Sequence, residues 1–184
     1  ICVGDKYNIN DVKKLEKMVF DNTSLDINFR VFDEPILYKW WNKVLYFSPI
    51  IEPFKVPHRD EFSETVGYNI IGPNESLLYI PDIDKWDKWE HDILFWIEST
   101  GYALLDGTFY YDGEIPNRNM SEIPHPFIME SMNYFETLLE RNQNKIFFIH
   151  LNHTNPAIRE NSAASRNIIK NGFNVARKGM KLHL

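Results

Sequence analysis

KIFFIHLNHTNP, residues 145–156, changes character at its midpoint. The apolar run Ile146–Ile149 has the length and composition of a short buried strand. His150 ends it, Asn152, His153, Thr154 and Asn155 follow, and Pro156 closes the stretch. A histidine at the end of a core strand, backed by hydrogen-bonding side chains, is what a site at a sheet edge requires.

The same pattern recurs on either side. Residues 65–71 and 77–80 read as two strands around the turn GPNES, and 102–105 as another short buried strand. Trp86, Trp89, Ile93, Trp96 and Ile97 fall on one helical face. Residues 127–141 read as a helix with Ile128, Met132, Phe135 and Leu139 on one side, and 162–171 as a helix stopped by Gly172. Short strands are expected near Val175 and Leu182. Towards the amino terminus, 8–22 reads as a helix, NFRVF (28–32) as a strand, and 44–51 as a strand ended by Pro53. Strand and helix alternate through the second half, which predicts a layered α/β fold with helices packed on a sheet.

Composition bounds the function. The 184 residues suffice for one sizeable core, with 43% hydrophobic and 25% charged residues. A net charge of −6 argues against a broad nucleic-acid or membrane surface. No apolar run is long enough to span a bilayer. The single cysteine, Cys2, has no internal partner, which points to a reducing, cytoplasmic setting. ICVGD, at the start, reads as the inside of a strand and suggests a piece of a longer chain.

Four predicted strands are each followed by a His or Asp. His58 follows FKVP, Asp82 follows LLYIP, Asp106 follows YALL, and His150 follows IFFI; His125 lies between prolines in a loop. Imidazole nitrogen and carboxylate oxygen suit zinc, iron or manganese, and a carboxylate can bridge two ions. The bland alternatives are structural. A strand-end histidine can be satisfied by hydrogen bonds alone, Asp82 and Asp84 could cap a helix at KWDKW, and His125 could cap the helix after it.

The order VPHRDEFSETVGYNI, LLYIPDI, ALLDGTFYYDGE, IPHPF, FFIHLNHTNP, KGMKLHL resembles the metallo-β-lactamase superfamily. It is most similar to the pyrroloquinoline quinone biosynthesis B branch. The resemblance implies an αββα sandwich, with residues 1–184 supplying the carboxyl-terminal portion of a single domain. It implies metal ligation by His58, Asp82 and His150, with His125 as proton donor and Asp106 supporting it. Asn152, His153, Thr154 and Asn155 would stand behind His150 and fix its orientation. The superfamily's H-x-H-x-D-H motif is absent from the 184 residues. The resemblance therefore also implies that an amino-terminal part of the domain completes the site. Unpaired sheet edges without it would favour pairing with another copy.

The expected function is that of a metal-dependent hydrolase, in which a metal-bound hydroxide attacks a phosphodiester or other small ester substrate. Zinc is the first expectation for the one or two divalent ions. The alternatives are an iron-dependent oxygenase in cofactor biosynthesis and a metal-free binding or scaffold domain that kept the fold.

Overall fold

The structure, a computed structural model, describes Tyr38–Trp40, Lys43–Leu45 and residues 50–184 apart from 60–62. The helix expected over 8–22 and the strand over 28–32 lie outside the described residues, as does Cys2. The chain divides into two compact units: one takes 1–48 and 177–183, the other 49–176 with Leu184. In the first, β1 (Tyr38–Trp40) and β2 (Lys43–Leu45) pair antiparallel.

The second unit is built on a six-stranded sheet of β3 (Ile50–Lys55), β4 (Val66–Ile71), β5 (Ser76–Ile80), β6 (Tyr102–Asp106), β7 (Ile146–Ile149) and β8 (Asn174–Val175), in sequential order. β3, β4 and β5 pair antiparallel; β5 to β8 are parallel. Parallel neighbours need crossovers. Helix α1 (Ile93–Ser99) lies between β5 and β6, α2 (Ile128–Tyr134) and α3 (Glu140–Gln143) between β6 and β7, and α4 (Ala163–Lys170) between β7 and β8. β5 and β6 are buried at four successive positions each, so they read as continuous apolar runs. Leu77, Leu78, Ile80, Leu104, Leu105 and Phe148 supply the sheet's share of the core, and Ile93, Ile97, Ile128 and Ile168 the helices' share.

Several boundaries differ from the sequence pattern, each for a local reason. β3 does not stop at Pro53 but continues to Lys55, pairing Pro53 with Tyr68. Among the described residues β3 is an edge strand, where a missing N–H costs no ladder bond. The tryptophan face is broken: a 3₁₀ turn, Trp86–Lys88, is separated from α1, because Asp92 caps α1 by accepting from Leu94 N at 2.9 Å. The expected long helix over 127–141 ends at Tyr134, continues as a 3₁₀ turn Phe135–Thr137, and restarts as α3. Leu139 is accordingly 58% exposed rather than on the buried side. α4 matches its sequence signals, with Ser162 as cap and Gly172 at φ +83°. Leu182 is not in a strand.

Strand direction positions the site. β3, β5, β6 and β7 all run the same way, because β3 and β5 are both antiparallel to β4. Their carboxyl ends therefore lie along one edge of the sheet.

Candidate metal centre

Each strand delivers at least one group to that edge. His58 lies just beyond β3, Asp82 and Asp84 just beyond β5, Asp106 is the last residue of β6, and His150 follows β7. Asp84 N donates to Pro57 O at 2.8 Å and ties the first two exits together. His125 arrives from the segment between β6 and α2, which is anchored by a small core of Phe109, Met120, Ile123 and Phe127. His125 does not cap α2. The cap position is Phe127, and its N–H is taken by Glu130 at 2.9 Å. Nor do Asp82 or Asp84 cap the 3₁₀ turn, which starts at Lys85 with no side-chain cap.

The five groups come together as two overlapping sets. Ligand atoms of His58, Asp82 and His125 lie within 4.8 Å of one another, and so do those of Asp82, Asp106 and His150. Asp82 is common to both. His58 Nε2 and His125 Nδ1 each stand 3.4 Å from Asp82 Oδ1. That oxygen is buried and has no hydrogen-bond partner. An unbonded buried carboxylate oxygen is costly, and a cation removes the cost. The donor set of imidazoles and carboxylates, with no sulfur, suits a divalent metal, so the residues fit the group.

Asp106 is fully buried. Four donors converge on its two oxygens. Thr108 N (2.8 Å) and Thr108 Oγ1 (2.6 Å) donate to Oδ1; Ile83 N (3.2 Å) and His125 Nδ1 (2.8 Å) donate to Oδ2. The carboxylate thus holds the β5 exit, its own loop and His125 at once. His125 lies closer to Asp106 than to Asp82, so it is part of the cluster rather than apart from the strand-end residues.

Sequence reasoning overlooked two partners. Asp84 Oδ1 meets His58 Nδ1 at 3.1 Å, and Thr108 Oγ1 meets His150 Nδ1 at 3.0 Å. Behind His150, Asn155 is buried and donates to Gly107 O at 2.8 Å while accepting from Ala157 N. Asn152 and Thr154 bond each other, and Thr154 reaches Glu114. His153 is exposed and belongs to neither ligand set. His150 itself is exposed and has φ +58°.

Burial pulls the His125 pKa down, but the hydrogen bond to Asp106 and the charges of Asp106, Asp82 and Asp84 outweigh it, and the net direction is up from 6.5. The folded state of the metal-free protein therefore binds this proton more tightly than the unfolded chain does. The resulting stability is complete below about pH 6.5 and is lost as pH rises through the raised pKa. Melting of chelator-treated protein from about pH 6 to about pH 9 is expected to show that decline. His125→Gln should flatten it; an unchanged slope would remove His125 as its source.

The mixed sheet with flanking helices has the metallo-β-lactamase-like fold, and a His/Asp cluster lies along its edge. In sequence, the chain is similar to proteins of the coenzyme PQQ synthesis protein B branch of the metallo-β-lactamase superfamily. The relative from Acinetobacter baumannii (strain ACICU) is 28% identical over 153 residues, covering 76% of this chain and 50% of its own length. The relative from Pseudomonas fluorescens (strain Pf0-1) is 27% identical over 155 residues with the same coverage. Zinc-bound PqqB from Methylobacterium extorquens matches in structure with a TM-score of 0.57 and 23% identity, over 73% of this chain and 50% of that one. No family model matches. The chain thus spans about half the length of the curated relatives it matches. Among the described residues no helix is long and apolar enough to cross a membrane.

Proposed function

We infer that this chain carries part of the metal centre of a metal-dependent enzyme, with His58, Asp82 and His150 as ligands and His125 as the acid that protonates a leaving group. The observation that carries the reading is the convergence of five side chains in two sets that share Asp82, whose Oδ1 is buried and unbonded. A divalent ion bound there supplies Lewis acidity and a nucleophile at neutral pH. Zinc stands first, because N/O ligation suits it and the matched PqqB is described as zinc-bound; two ions sharing Asp82 would suit the overlapping sets. His125 donates Nδ1–H to Asp106, which leaves Nε2 to exchange a proton with substrate. Asp106 holds the ring in that orientation and stabilises its charged form. The substrate class is a phosphodiester or another small ester. Further ligands come, in this reading, from the part of the relatives' length that the chain does not span. The setting is the cytoplasm.

A second reading rests on the relatives' name, coenzyme PQQ synthesis protein B. It places the same cluster in cofactor synthesis, with iron and oxygen chemistry. Metal analysis of the intact protein, followed by reloading with zinc or iron, separates the two. Hydrolysis of a chromogenic phosphodiester by the zinc form is the expected result. Oxygen uptake by the iron form without hydrolysis would favour the second reading, and no bound metal in either form would overturn both.

A further inference from the structure

His58 and His125 each have a carboxylate directly on Nδ1, Asp84 and Asp106 respectively. His150 does not. Its Nδ1 meets the hydroxyl of Thr108, and that hydroxyl meets Asp106. We propose that Thr108 is a positioning residue that relays the Asp106 carboxylate to His150, fixing its proton on Nδ1 and leaving Nε2 as the nitrogen with a free lone pair.

The argument is one of proton accounting. A threonine hydroxyl has a single hydrogen to donate and lone pairs to accept with. The Asp106 carboxylate, filled by four donors, works only as an acceptor. At 2.6 Å the Thr108 hydrogen is committed to Asp106 Oδ1, as a charge-assisted bond of that length implies. Thr108 Oγ1 can then only accept from His150, so the imidazole must carry its hydrogen on Nδ1. A neutral ring protonated there has its lone pair on Nε2.

The backbone supports the relay. Thr108 is 8% exposed, and its N–H also bonds Asp106 Oδ1. Gly107 N donates to Ile149 O at 2.9 Å, and Asn152 N donates to Thr108 O at 2.9 Å, so the exits of β6 and β7 are clamped on both sides of the hydroxyl. Asn155 Nδ2 adds bonds to Gly107 O at 2.8 Å and to Thr108 O at 3.3 Å. Gly107 leaves no room for a side chain: an added Cβ would lie 2.9 Å from Phe148 Cβ and 3.0 Å from Ile149 O. Outer partners of this kind set the tautomer and direction of a ligating histidine.

The inference rests on the metal reading above, and its test can be separated from it. Long-range proton–nitrogen correlation spectra of the metal-free intact protein, above the imidazole titration range, report the His150 tautomer directly. Wild type and Thr108→Ser are expected to show Nδ1–H, and Thr108→Val, which keeps the shape but loses the hydroxyl, a shift towards Nε2–H. Zinc titration should show Thr108→Val weaker by roughly 10–100-fold and Thr108→Ser close to wild type. Wild-type His150 protonated on Nε2 would overturn the proposal, as would a Val variant with unchanged tautomer and zinc affinity. If the Val variant does not fold, the tautomers of wild type and Thr108→Ser decide. Nδ1–H in a wild type that binds no zinc would support the Thr108 assignment and sink the metal reading instead.

Discussion

Replacing Asp106 with Ala is expected to cost about 3–5 kcal/mol of folding free energy, the range for removing one partner of a buried charged pair. The carboxylate is fully buried and is the shared acceptor for Ile83 N, Thr108 N, Thr108 Oγ1 and His125 Nδ1. Its loss strands several donors in a region closed to water, and each stranded group carries a desolvation penalty. Against a total stability of order 5–15 kcal/mol, that is a large share. Denaturant titration at neutral pH measures it as a lower midpoint with little change in slope. Asp106→Asn should fare only somewhat better, since its amide nitrogen cannot accept where donors already point. Near-wild-type stability in both variants would mean that Asp106 is not the hub of the edge.

Substitution of His125 by Ala is expected to lower turnover by roughly 10²–10⁴-fold, as for loss of a general acid, while metal content stays nearly unchanged. His150→Ala should instead reduce metal content, because in the proposed reading a ligand is removed. His125 is the position at which the two assignments compete. Its Nδ1 lies 3.4 Å from Asp82, within reach of a ligand role, but 2.8 Å from Asp106, where its hydrogen is committed. Metal stoichiometry, melting temperature and turnover measured on the same preparations distinguish them. Loss of metal with His125→Ala would make it a ligand, and full activity would remove it from the mechanism.

The parts of the molecule legible in the sequence were those where a polar residue interrupts an apolar run. His150 after IFFI, Asp106 after YALL and Asp82 after LLYIP mark strand ends, because a polar group in a buried strand interior needs partners of its own, which Asp106 finds only at the last position of β6. Their arrival at one edge needed strand direction, which the alternation of strand and helix supplies for β5 to β7 but not for β3. Thr108 is not singled out by the sequence, and Asp84 reads there only as a helix cap, for a different reason. A threonine or aspartate in a loop has many local uses, and only the fold brings them to His150 and His58, 42 and 26 residues away. The overlong helices at 86–97 and 127–141 came from apolar spacing that continues across breaks. Trp86 and Trp89 are buried through indole N–H bonds to Ser131 Oγ and Lys55 O, not through membership of one helix.

Position 150 also filters what can be inherited there. Its backbone lies at φ +58°, a region that costs most L-residues about 1–2 kcal/mol and that histidine, asparagine, aspartate and glycine occupy most readily. A drifting sequence is therefore steered to those four by conformation alone, before any chemistry is selected. Of them, glycine offers no side-chain donor and asparagine only a neutral carbonyl oxygen, leaving histidine and aspartate. These are the two residue types that make up the rest of the cluster. The turn at the end of β7 thus restricts the chemical alphabet of this corner of the site independently of whatever it binds.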